Sequence, residues 1–232
     1  LFRSLGAADY GSLFHASISH FFELLEKRHL NWREITDTQR NQLVEESVAK
    51  AMEEYQTTVF DSSARNKSMA GRIRRMTDRT LWALGCQWEH GAYEKTWHEL
   101  DFGRAGGNGV TLPVEEGLEL SLRGRIDRVD CAEEDGSLYV KVIDYKSGST
   151  KLDLGKVYYG LQLQLVLYLE AAMAMAAKRN PNRKLIPAGI YYYNMKDPIV
   201  SGFDMTKEEI EAKQQKELRM NGLTSTEKAS LL

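Results

Sequence analysis

The chain has 232 residues, of which 42% are hydrophobic and 28% are charged, the ordinary balance of a globular protein that can form a core. This composition excludes a disordered chain, and no apolar run approaches the roughly 20 residues that a membrane-spanning helix requires. The formal net charge is −2, so the molecule as a whole exerts no long-range attraction on a polyanion. Any contact with nucleic acid must therefore come from a local basic patch.

The first third of the chain predicts three helices. Apolar residues recur at helical spacing from Gly11 to Arg28, which indicates an amphipathic helix. Asp37 or Thr38 is expected to cap a second helix that runs to about Tyr55, because both residue types are favoured at helix N-termini. A third helix is predicted from about Asn66 to His90.

After residue 92 the pattern changes to that of strands. A strand is predicted from Glu94 to Phe102, followed by a glycine-rich loop from Gly103 to Gly109. Val, Ile and Leu enrich the next two segments, and the Asp-Gly pair between them is a hairpin signal. The remaining predictions, in chain order, are those two segments (Leu118–Cys131 and Ser137–Lys146), a long helix (Val157–Arg179), a strand (Leu185–Asn194) and a charged helix (Thr206–Gln215).

This order of elements predicts the fold class. Helices come first, then a meander of strands, then a helix and a strand, so we expect a mixed central β-sheet flanked by helices, an α/β fold bordering on α+β. Residues 1–92 are interpreted as a helical region and residues 93–232 as the core with a C-terminal helix, together one structural domain. The chain begins Leu-Phe-Arg-Ser, without an initiator Met or a signal segment, which indicates an excised part of a longer protein.

Two sequence features exclude further classes of site. Cys86 and Cys131 lie far apart and show no CxxC spacing, so the sequence indicates neither a disulfide framework nor a zinc site. A reducing compartment, the cytoplasm, is the expected location. The sequence contains no GxxxxGK[ST] phosphate loop, so the chain alone is not expected to hydrolyse ATP.

The strongest chemical signal is the segment GRIDRVD followed by the segment VIDYKSG. With a hairpin turn near Glu134–Asp135, Asp127 is expected to lie opposite Val142, and Asp144 becomes its diagonal neighbour, about 7 to 8 Å away at the backbone. Two carboxylates at that separation can lean onto one hard cation, because Mg²⁺ takes oxygen ligands and commonly uses only one or two protein carboxylates. Lys146 shares their face, since side chains alternate along a strand.

Two interpretations of this arrangement remain open. In the first, a divalent cation satisfies the two carboxylates and polarises a phosphoryl oxygen, while Lys146 orients the nucleophile or offsets developing charge, so that a phosphodiester is hydrolysed. In the second, Asp127 and Asp144 make ordinary surface ion pairs with neighbouring basic residues. A three-residue Asp-x-Lys pattern is frequent by chance, but here it ends a Val-Ile strand and faces another aspartate across a hairpin.

Three motifs occur in one order, GRIDRVD, VIDYKSG and YYGLQLQLVLYL. Together they resemble the RecB-like branch of the PD-(D/E)xK nucleases, and the likeness covers about residues 11–223. The resemblance implies an exonuclease that hydrolyses DNA phosphodiester bonds with Mg²⁺ or Mn²⁺. It implies that Asp127 and Asp144 ligate the metal. The Tyr145 backbone carbonyl would complete the metal site, and Lys146 would be catalytic.

The resemblance also assigns residues outside the hairpin. His15 matches the family's helical histidine, which supplies a further metal contact; a packed histidine is the alternative. Gln164 and Tyr168, four residues apart on one helix face, match the family's Gln-x-x-x-Tyr motif, which lies near the scissile phosphate or the catalytic lysine. The alternative is a core Tyr168 and a strand-capping glutamine. Glu99 resembles the acidic residue of the preceding strand, although a salt bridge to a neighbouring arginine explains it equally well.

The family also carries implications for cofactors and partners. Its iron–sulfur members have one cysteine before the helical histidine and three near the C-terminus, and Cys86 and Cys131 match neither position. A cluster is therefore not supported by this chain, although a full-length parent could carry one. The resemblance implies single-stranded DNA delivered by an AddA-type helicase-nuclease subunit during double-strand break repair. The alternatives are a catalytically inactive module that binds DNA or scaffolds a helicase partner, and a free-standing nuclease of restriction or CRISPR type.

Two residue runs also have both a functional and a structural interpretation. A basic run on the third helix could hold DNA phosphates, but such runs are more often a solvated face. A run of tyrosines on the last long strand could stack on bases, but alternate tyrosines on a strand usually pack. The two runs are Arg72, Arg74, Arg75 and Arg79, and Tyr191, Tyr192 and Tyr193.

Overall fold

The structure is a computed structural model that describes residues 7–55, 64–103, 110–115, 117–200 and 204–226. Within these ranges, no helix is both long and apolar enough to cross a membrane. Most of the predicted loop after Gly103 lies outside the described residues. The helices and strands, in chain order, are α1 (Ala7–Lys27), α2 (Asp37–Glu54), α3 (Ala64–His90), β1 (Lys95–Phe102), β2 (Val110–Glu115), β3 (Leu118–Leu122), β4 (Gly124–Glu134), β5 (Ser137–Lys146), α4 (Leu154–Tyr158), α5 (Gln164–Arg179), β6 (Lys184–Asn194), α6 (Lys207–Glu217) and β7 (Asn221–Thr224).

The chain divides into two compact units. The first contains residues 1–90, 145–149 and 194–219, and the second contains residues 91–144, 150–193 and 220–232. The boundary between them falls within β5, after Asp144, so the last two residues of that strand belong to the first unit.

A mixed sheet has the strand order β1-β4-β5-β6-β7, while β2 and β3 form a separate two-stranded ribbon. The pairs β1/β4, β4/β5 and β6/β7 are antiparallel. Just past the ends of β5 and β6, the Met195 N–H donates to the Lys146 carbonyl at 2.8 Å, so these two strands end at the same edge of the sheet. The mixed sheet and its helices confirm the predicted α/β fold class.

The core of the second unit lies between the sheet and α5. Val129 and Cys131 on β4 and Leu138, Val140 and Val142 on β5 alternate along their strands and contribute their side chains to it, as the two-residue period of a strand requires. The α5 residues Ala171, Ala172 and Ala176 are completely buried, and their small side chains let the helix backbone approach the strands closely. This packing fixes α5, and therefore its first residue Gln164, over one face of the sheet.

The core of the first unit is formed by α1, α2 and α3, whose apolar faces meet. Its buried members are Leu13, Phe21, Leu25, Leu43, Val44, Val48, Ala51, Ile73 and Leu81. Helix α2 begins with a capping box in which Gln39 N–H donates to Thr36 Oγ1 at 3.2 Å and Thr36 N–H donates to Gln39 Oε1 at 2.9 Å. The prediction of Asp37 or Thr38 as the cap was wrong. Thr36 is the cap because Gln39, three residues later, accepts a hydrogen bond from the Thr36 N–H while its own N–H donates to the Thr36 hydroxyl.

The long helix predicted from Val157 to Arg179 is two helices, α4 and α5. Between them Gly160 has a φ of 72°, a left-handed conformation that ends the helix, and the Leu161 N–H donates to the Lys156 carbonyl at 2.7 Å. The apolar periodicity continues across this break, which is why the pattern indicated one helix. Strands β2 and β7 were not predicted, since β2 contains a proline and β7 a glycine, residues that are depleted in strands.

The turn of the β4–β5 hairpin is shorter than the sequence prediction. Its loop is Asp135-Gly136 alone, with φ values of 49° and 73°, the positive pair that a type I′ turn requires. Glu134 consequently pairs with Ser137, and the two acidic residues before the Asp-Gly belong to the strand and not to the loop.

This turn sets the register between the strands. Arg128 lies opposite Ile143, and the same register continued by one residue sets Asp127 opposite Asp144. The prediction that Asp127 faces Val142 was wrong, because it assumed a turn centred one residue earlier. The two aspartates are therefore direct neighbours and not diagonal ones.

Replacing Gly136 by alanine tests the turn. The new methyl group has open space for 4 Å around its Cβ position, so it causes no clash. The cost comes from the φ of 73°, which an L-residue rarely adopts. We expect the free energy of unfolding to fall by about 1 to 2 kcal/mol, the cost of a left-handed L-residue. Gly148→Ala is the matched control, since its Cβ position is equally open without a left-handed φ. Equal stabilities of the two variants in urea unfolding would contradict the assignment of the turn.

Candidate functional site

Three acidic residues form a row across adjacent strands of the second unit. Asp127 on β4 lies opposite Asp144 on β5 in the register described above. On the other side of β4, the residues before and after Glu99 on β1 pair with the residues after and before Asp127, so Glu99 lies opposite Asp127. Residues directly opposite one another in antiparallel strands share a sheet face, with Cβ atoms about 4.5 to 5.5 Å apart. The row therefore brings Asp127 and Asp144 to one face, as the sequence analysis required.

Glu99 departs from ordinary strand geometry. Its φ of 48° is rare for a residue other than glycine, and such strained backbone is concentrated at functional sites. One of its carboxylate oxygens lies within 4.8 Å of a carboxylate oxygen of Asp127. Its Oε2 atom also lies 2.7 Å from Arg125 Nε. Glu99 therefore makes the salt bridge to an arginine and also lies near Asp127 in the acidic row, so the two interpretations of this residue do not exclude each other.

The beginning of α5 brings an amide to Asp144. Gln164 is the first residue of the helix, and its Nε2 donates to Asp144 Oδ1 at 3.0 Å and to the Tyr168 hydroxyl at 3.1 Å. One turn later, the Tyr168 ring packs edge-on against Phe102, with 5.9 Å between the ring centroids. The two residues of the Gln-x-x-x-Tyr motif therefore form one hydrogen-bonded chain that ends on the Asp144 carboxylate.

Tyr145 and Lys146 end β5 and belong to the first unit. Alternation along the strand puts Lys146 on the Asp144 face and Tyr145 on the other. Within the first unit, the Tyr145 ring packs against the imidazole of His15, with 6.1 Å between centroids and an angle of 70° between the planes. Helix α1 thus places His15 against the side chain of Tyr145, which lies between Asp144 and Lys146 in the sequence.

The donor atoms of the acidic row suit a hard divalent cation. Asp127 and Asp144 are only 9% and 2% exposed, and negative charges so far withdrawn from water require a compensating charge. All the candidate ligands of the row are carboxylate oxygens, which Mg²⁺ and related cations prefer, whereas thiolates would favour zinc. Glu99, Asp127 and Asp144 are therefore the residues of the second unit that could hold a metal.

The second aspartate of GRIDRVD lies on the opposite face of the sheet. Asp130 is fully buried, accepts from Arg128 Nε at 2.6 Å and from Thr96 Oγ1 at 3.0 Å, and lies 3.4 Å from Lys141 Nζ. Burial alone would raise the pKa of Asp130, but the charges of Arg128 and Lys141 outweigh burial and hold the pKa below its usual value. We refer to these four residues as the buried ion cluster. Its one carboxylate offsets part of the charge of two buried cations, which is a structural role.

The tyrosine run is buried inside the fold, and most of the basic run pairs with neighbouring side chains. Intramolecular partners bind three of the four arginines of the basic run, namely Glu45 for Arg74, Asp197 for Arg75 and Gln214 for Arg79. The tyrosines of β6 are 6%, 2% and 0% exposed in the order Tyr191, Tyr192 and Tyr193. The tyrosine run therefore offers no free surface, whereas the Arg74 and Arg75 side chains stay 54% and 61% exposed within their ion pairs.

Comparisons with known proteins show which family the chain belongs to. The family model of the PD-(D/E)XK nuclease superfamily matches residues 2–230. The chain is 43% identical over 220 residues to AddB, a subunit of the ATP-dependent helicase/deoxyribonuclease, of Lachnoclostridium phytofermentans, a match covering 95% of this chain and 18% of that protein. The protein of the same name from Alkaliphilus metalliredigens is 35% identical, with 94% of this chain and 19% of that protein covered.

A further relative of the same name, from Caldanaerobacter subterraneus subsp. tengcongensis, is 36% identical over 92% of this chain and 18% of its own length. The chain thus spans less than a fifth of the length of the relatives that it matches. The three motifs resemble the C-terminal nuclease domain of AddB, and the names of these relatives confirm the likeness to AddB. Because the family model covers nearly every residue, the chain belongs to the PD-(D/E)XK nuclease superfamily.

Proposed function

We propose that this chain is a divalent-metal-dependent nuclease that hydrolyses phosphodiester bonds of single-stranded DNA. The observation that carries the proposal is the row of Glu99, Asp127 and Asp144 on three neighbouring strands, with Glu99 and Asp127 oxygens within 4.8 Å. Three carboxylates gathered on one sheet face offer the oxygen ligands that a divalent cation prefers, and a bound cation would reduce their mutual repulsion. Membership of a nuclease superfamily supports hydrolysis as its reaction.

In this proposal, Asp127 and Asp144 hold the cation, with Glu99 as a further carboxylate. The family resemblance adds the imidazole of His15 and the backbone carbonyl of Tyr145. When bound, Mg²⁺ or Mn²⁺ supplies positive charge to a phosphoryl oxygen and favours attack by water. The contact between the His15 and Tyr145 rings supports a place for the imidazole near this end of β5.

The remaining site residues act on the phosphate and on the ligands. Lys146, on the Asp144 face of β5, offsets the negative charge that grows on the phosphate in the transition state, or orients the attacking water. Gln164 fixes the Asp144 carboxylate by its hydrogen bond of 3.0 Å, so it positions a ligand. The Tyr168 hydroxyl, which accepts from the same amide at 3.1 Å, is assigned to a contact with a phosphate oxygen, as the family motif implies.

The names of the relatives support a place for this activity. Those proteins are named as a subunit of an ATP-dependent helicase/deoxyribonuclease, so we propose that a helicase delivers the single strand to this site during double-strand break repair and recombination in the cytoplasm. An AddA-type subunit would be the partner. The matched length, 18% to 19% of those proteins, is consistent with a nuclease portion of a larger helicase-nuclease complex.

Cleavage of end-labelled oligonucleotides by the purified chain tests the proposed function. We expect cleavage with Mg²⁺ or Mn²⁺, no cleavage with EDTA, and faster cleavage of a single strand than of the matching duplex. Mononucleotide products would indicate an exonuclease, and fragments of mixed length an endonuclease. Binding of the oligonucleotide without cleavage at any metal concentration would overturn the enzyme proposal and favour a catalytically inactive DNA-binding module.

Gln164→Ala tests the positioning of Asp144. The variant removes a hydrogen bond to a ligand and leaves all proposed ligands in place, so we expect cleavage to fall by about 10- to 100-fold, the usual cost of losing such a partner. The metal concentration that gives half-maximal cleavage should rise by a similar factor. Tyr168→Phe is the matched control, because it leaves the amide on Asp144 and removes only the hydroxyl. An unchanged metal dependence in Gln164→Ala would contradict a positioning role.

A further inference from the structure

The segment between β5 and α5 presents apolar side chains to solvent. Tyr158 is 84% exposed, Tyr159 75%, Leu161 77% and Leu154 60%. The two tyrosine rings lie edge to face, with 5.2 Å between their centroids. Apolar side chains clustered at such exposure generally mark a binding surface in a folded protein. We refer to residues 151–163 as the aromatic loop.

The aromatic loop is held in one conformation by hydrogen bonds. The Gln162 amide closes it, accepting from the Asp153 N–H at 2.8 Å and donating to the Lys151 carbonyl at 2.9 Å. Its start is tied to β7, where the Leu152 N–H donates to Asn221 Oδ1 at 2.6 Å. A ligand that binds the exposed rings therefore meets a surface that is already ordered, which reduces the entropy cost of binding.

The charges of the aromatic loop favour an anionic ligand. Lys151 and Lys156 are both exposed, and Asp153 is the one acidic residue in the segment. The Asp153 carboxylate is used as the N-cap of α4, where it accepts from the Lys156 N–H at 3.2 Å. Aromatic faces with lysines beside them match single-stranded nucleic acid, whose bases stack on rings and whose phosphates pair with ammonium groups. An apolar protein surface would leave these lysines without partners.

The aromatic loop also leads directly into the candidate site. Tyr159 lies five residues before Gln164, whose amide donates to Asp144 Oδ1 at 3.0 Å. Five residues span at most about 18 Å of extended chain, which is roughly the length of five stacked nucleotides. A strand lying on the rings can therefore extend to the acidic row.

We propose that the aromatic loop is a stacking platform for single-stranded DNA, in which Tyr158 and Tyr159 stack on unpaired bases next to the scissile phosphate and Lys151 and Lys156 contact the flanking phosphates. The platform rests on the proposed nuclease function and deepens it, because a duplex has no unstacked base to offer to the rings. Preference for single strands thus originates in this loop.

Substitution of both tyrosines tests the platform. Binding of a fluorescent single-stranded oligonucleotide in EDTA is measured by anisotropy for the unaltered chain and for Tyr158→Ala/Tyr159→Ala. We expect the affinity to fall by at least about 30-fold, since two stacked bases are lost and each contributes roughly 1 to 3 kcal/mol. Tyr158→Phe/Tyr159→Phe keeps the rings and should retain affinity within about twofold. Leu118→Ser, at a residue 56% exposed on β3, controls for the loss of exposed apolar surface.

Steady-state cleavage distinguishes failure of the platform from failure of the nuclease. For the alanine pair we expect KM on a single strand to rise with little change in kcat. Wild-type binding and KM in the alanine pair, or an equal loss of duplex binding, overturns the platform. An unaltered chain that binds single strands through the tyrosines but never cleaves them overturns the nuclease proposal and leaves the platform standing.

Discussion

Asp144→Ala is expected to abolish metal-supported DNA cleavage while leaving the fold intact. The variant removes a carboxylate from the acidic row, so the cation loses a ligand and the phosphate loses the charge that the cation brings. Removing one group that stabilises developing charge typically costs about 100- to 1,000-fold in rate. Loss of a metal ligand should cost at least as much. The measurement is the initial rate of single-strand cleavage across a range of Mn²⁺ concentrations.

Stability in metal-free buffer separates this result from unfolding. Asp144 accepts a hydrogen bond from Gln164 at 3.0 Å but also lies opposite Asp127, a like charge. The lost hydrogen bond and the relieved repulsion are each of the order of 1 kcal/mol and oppose one another, so we expect a net change below about 1 kcal/mol. Asp135→Asn, in the exposed turn of the same hairpin, is the matched control and should cleave normally. Cleavage by Asp144→Ala near the wild-type rate would retire the proposed site.

Asp130→Ala is expected to have the largest effect on stability. It leaves Arg128 and Lys141 buried, at 1% and 6% exposed, without the carboxylate that compensates them. Breaking a buried pair from one side typically costs about 3 to 5 kcal/mol. Chemical denaturation at pH 7 measures this loss. Thr96→Val is the comparison, since it removes a single hydrogen bond of 3.0 Å to the same carboxylate and should cost about 1 kcal/mol.

The pH dependence gives an independent test of the buried ion cluster. The pKa of Asp130 is lowered in the folded chain, so its contribution is complete above the unfolded pKa of about 4 and is lost as pH falls through the folded value. The stability difference between the wild type and Asp130→Ala should therefore shrink in acid below about pH 4. A difference that is constant down to the acid transition, or a loss below about 1 kcal/mol at pH 7, would show that the cluster does not hold the sheet together.

Buried Lys141 makes the same variant sensitive to base. Burial lowers the pKa of Lys141, whereas Asp130 raises it. Without Asp130 the pKa should fall further, so Asp130→Ala should regain part of its stability as rising pH deprotonates the lysine. The double variant Lys141→Met/Asp130→Ala should be more stable at pH 7 than Asp130→Ala alone, because it contains no buried ammonium group. A double variant no more stable than Asp130→Ala would contradict this account.

The sequence by itself determined the elements and the chemistry of this protein. Helical periodicity identified α1 and α3, the Asp-Gly pair identified the hairpin, and the motif around Asp127, Asp144 and Lys146 indicated a nuclease family that the family model confirms. These signals are local, because propensities, turns and side-chain alternation act over a few residues. Their limit was visible in the segment before α5, where one left-handed glycine divided a continuous apolar pattern into two helices.

The tertiary structure decided which acids meet. The left-handed pair Asp135-Gly136 shifted the register so that Asp127 and Asp144 face each other directly. Pairing of β1 with β4 brought Glu99 within 4.8 Å of Asp127, and packing of α5 on the sheet set Gln164 against Asp144. Strand parity separated Asp127 from Asp130, two aspartates of one motif with opposite surroundings. The meeting of Glu99 with Asp127 and of Gln164 with Asp144 depends on backbone pairing and packing between segments distant in sequence, which local residue patterns do not encode.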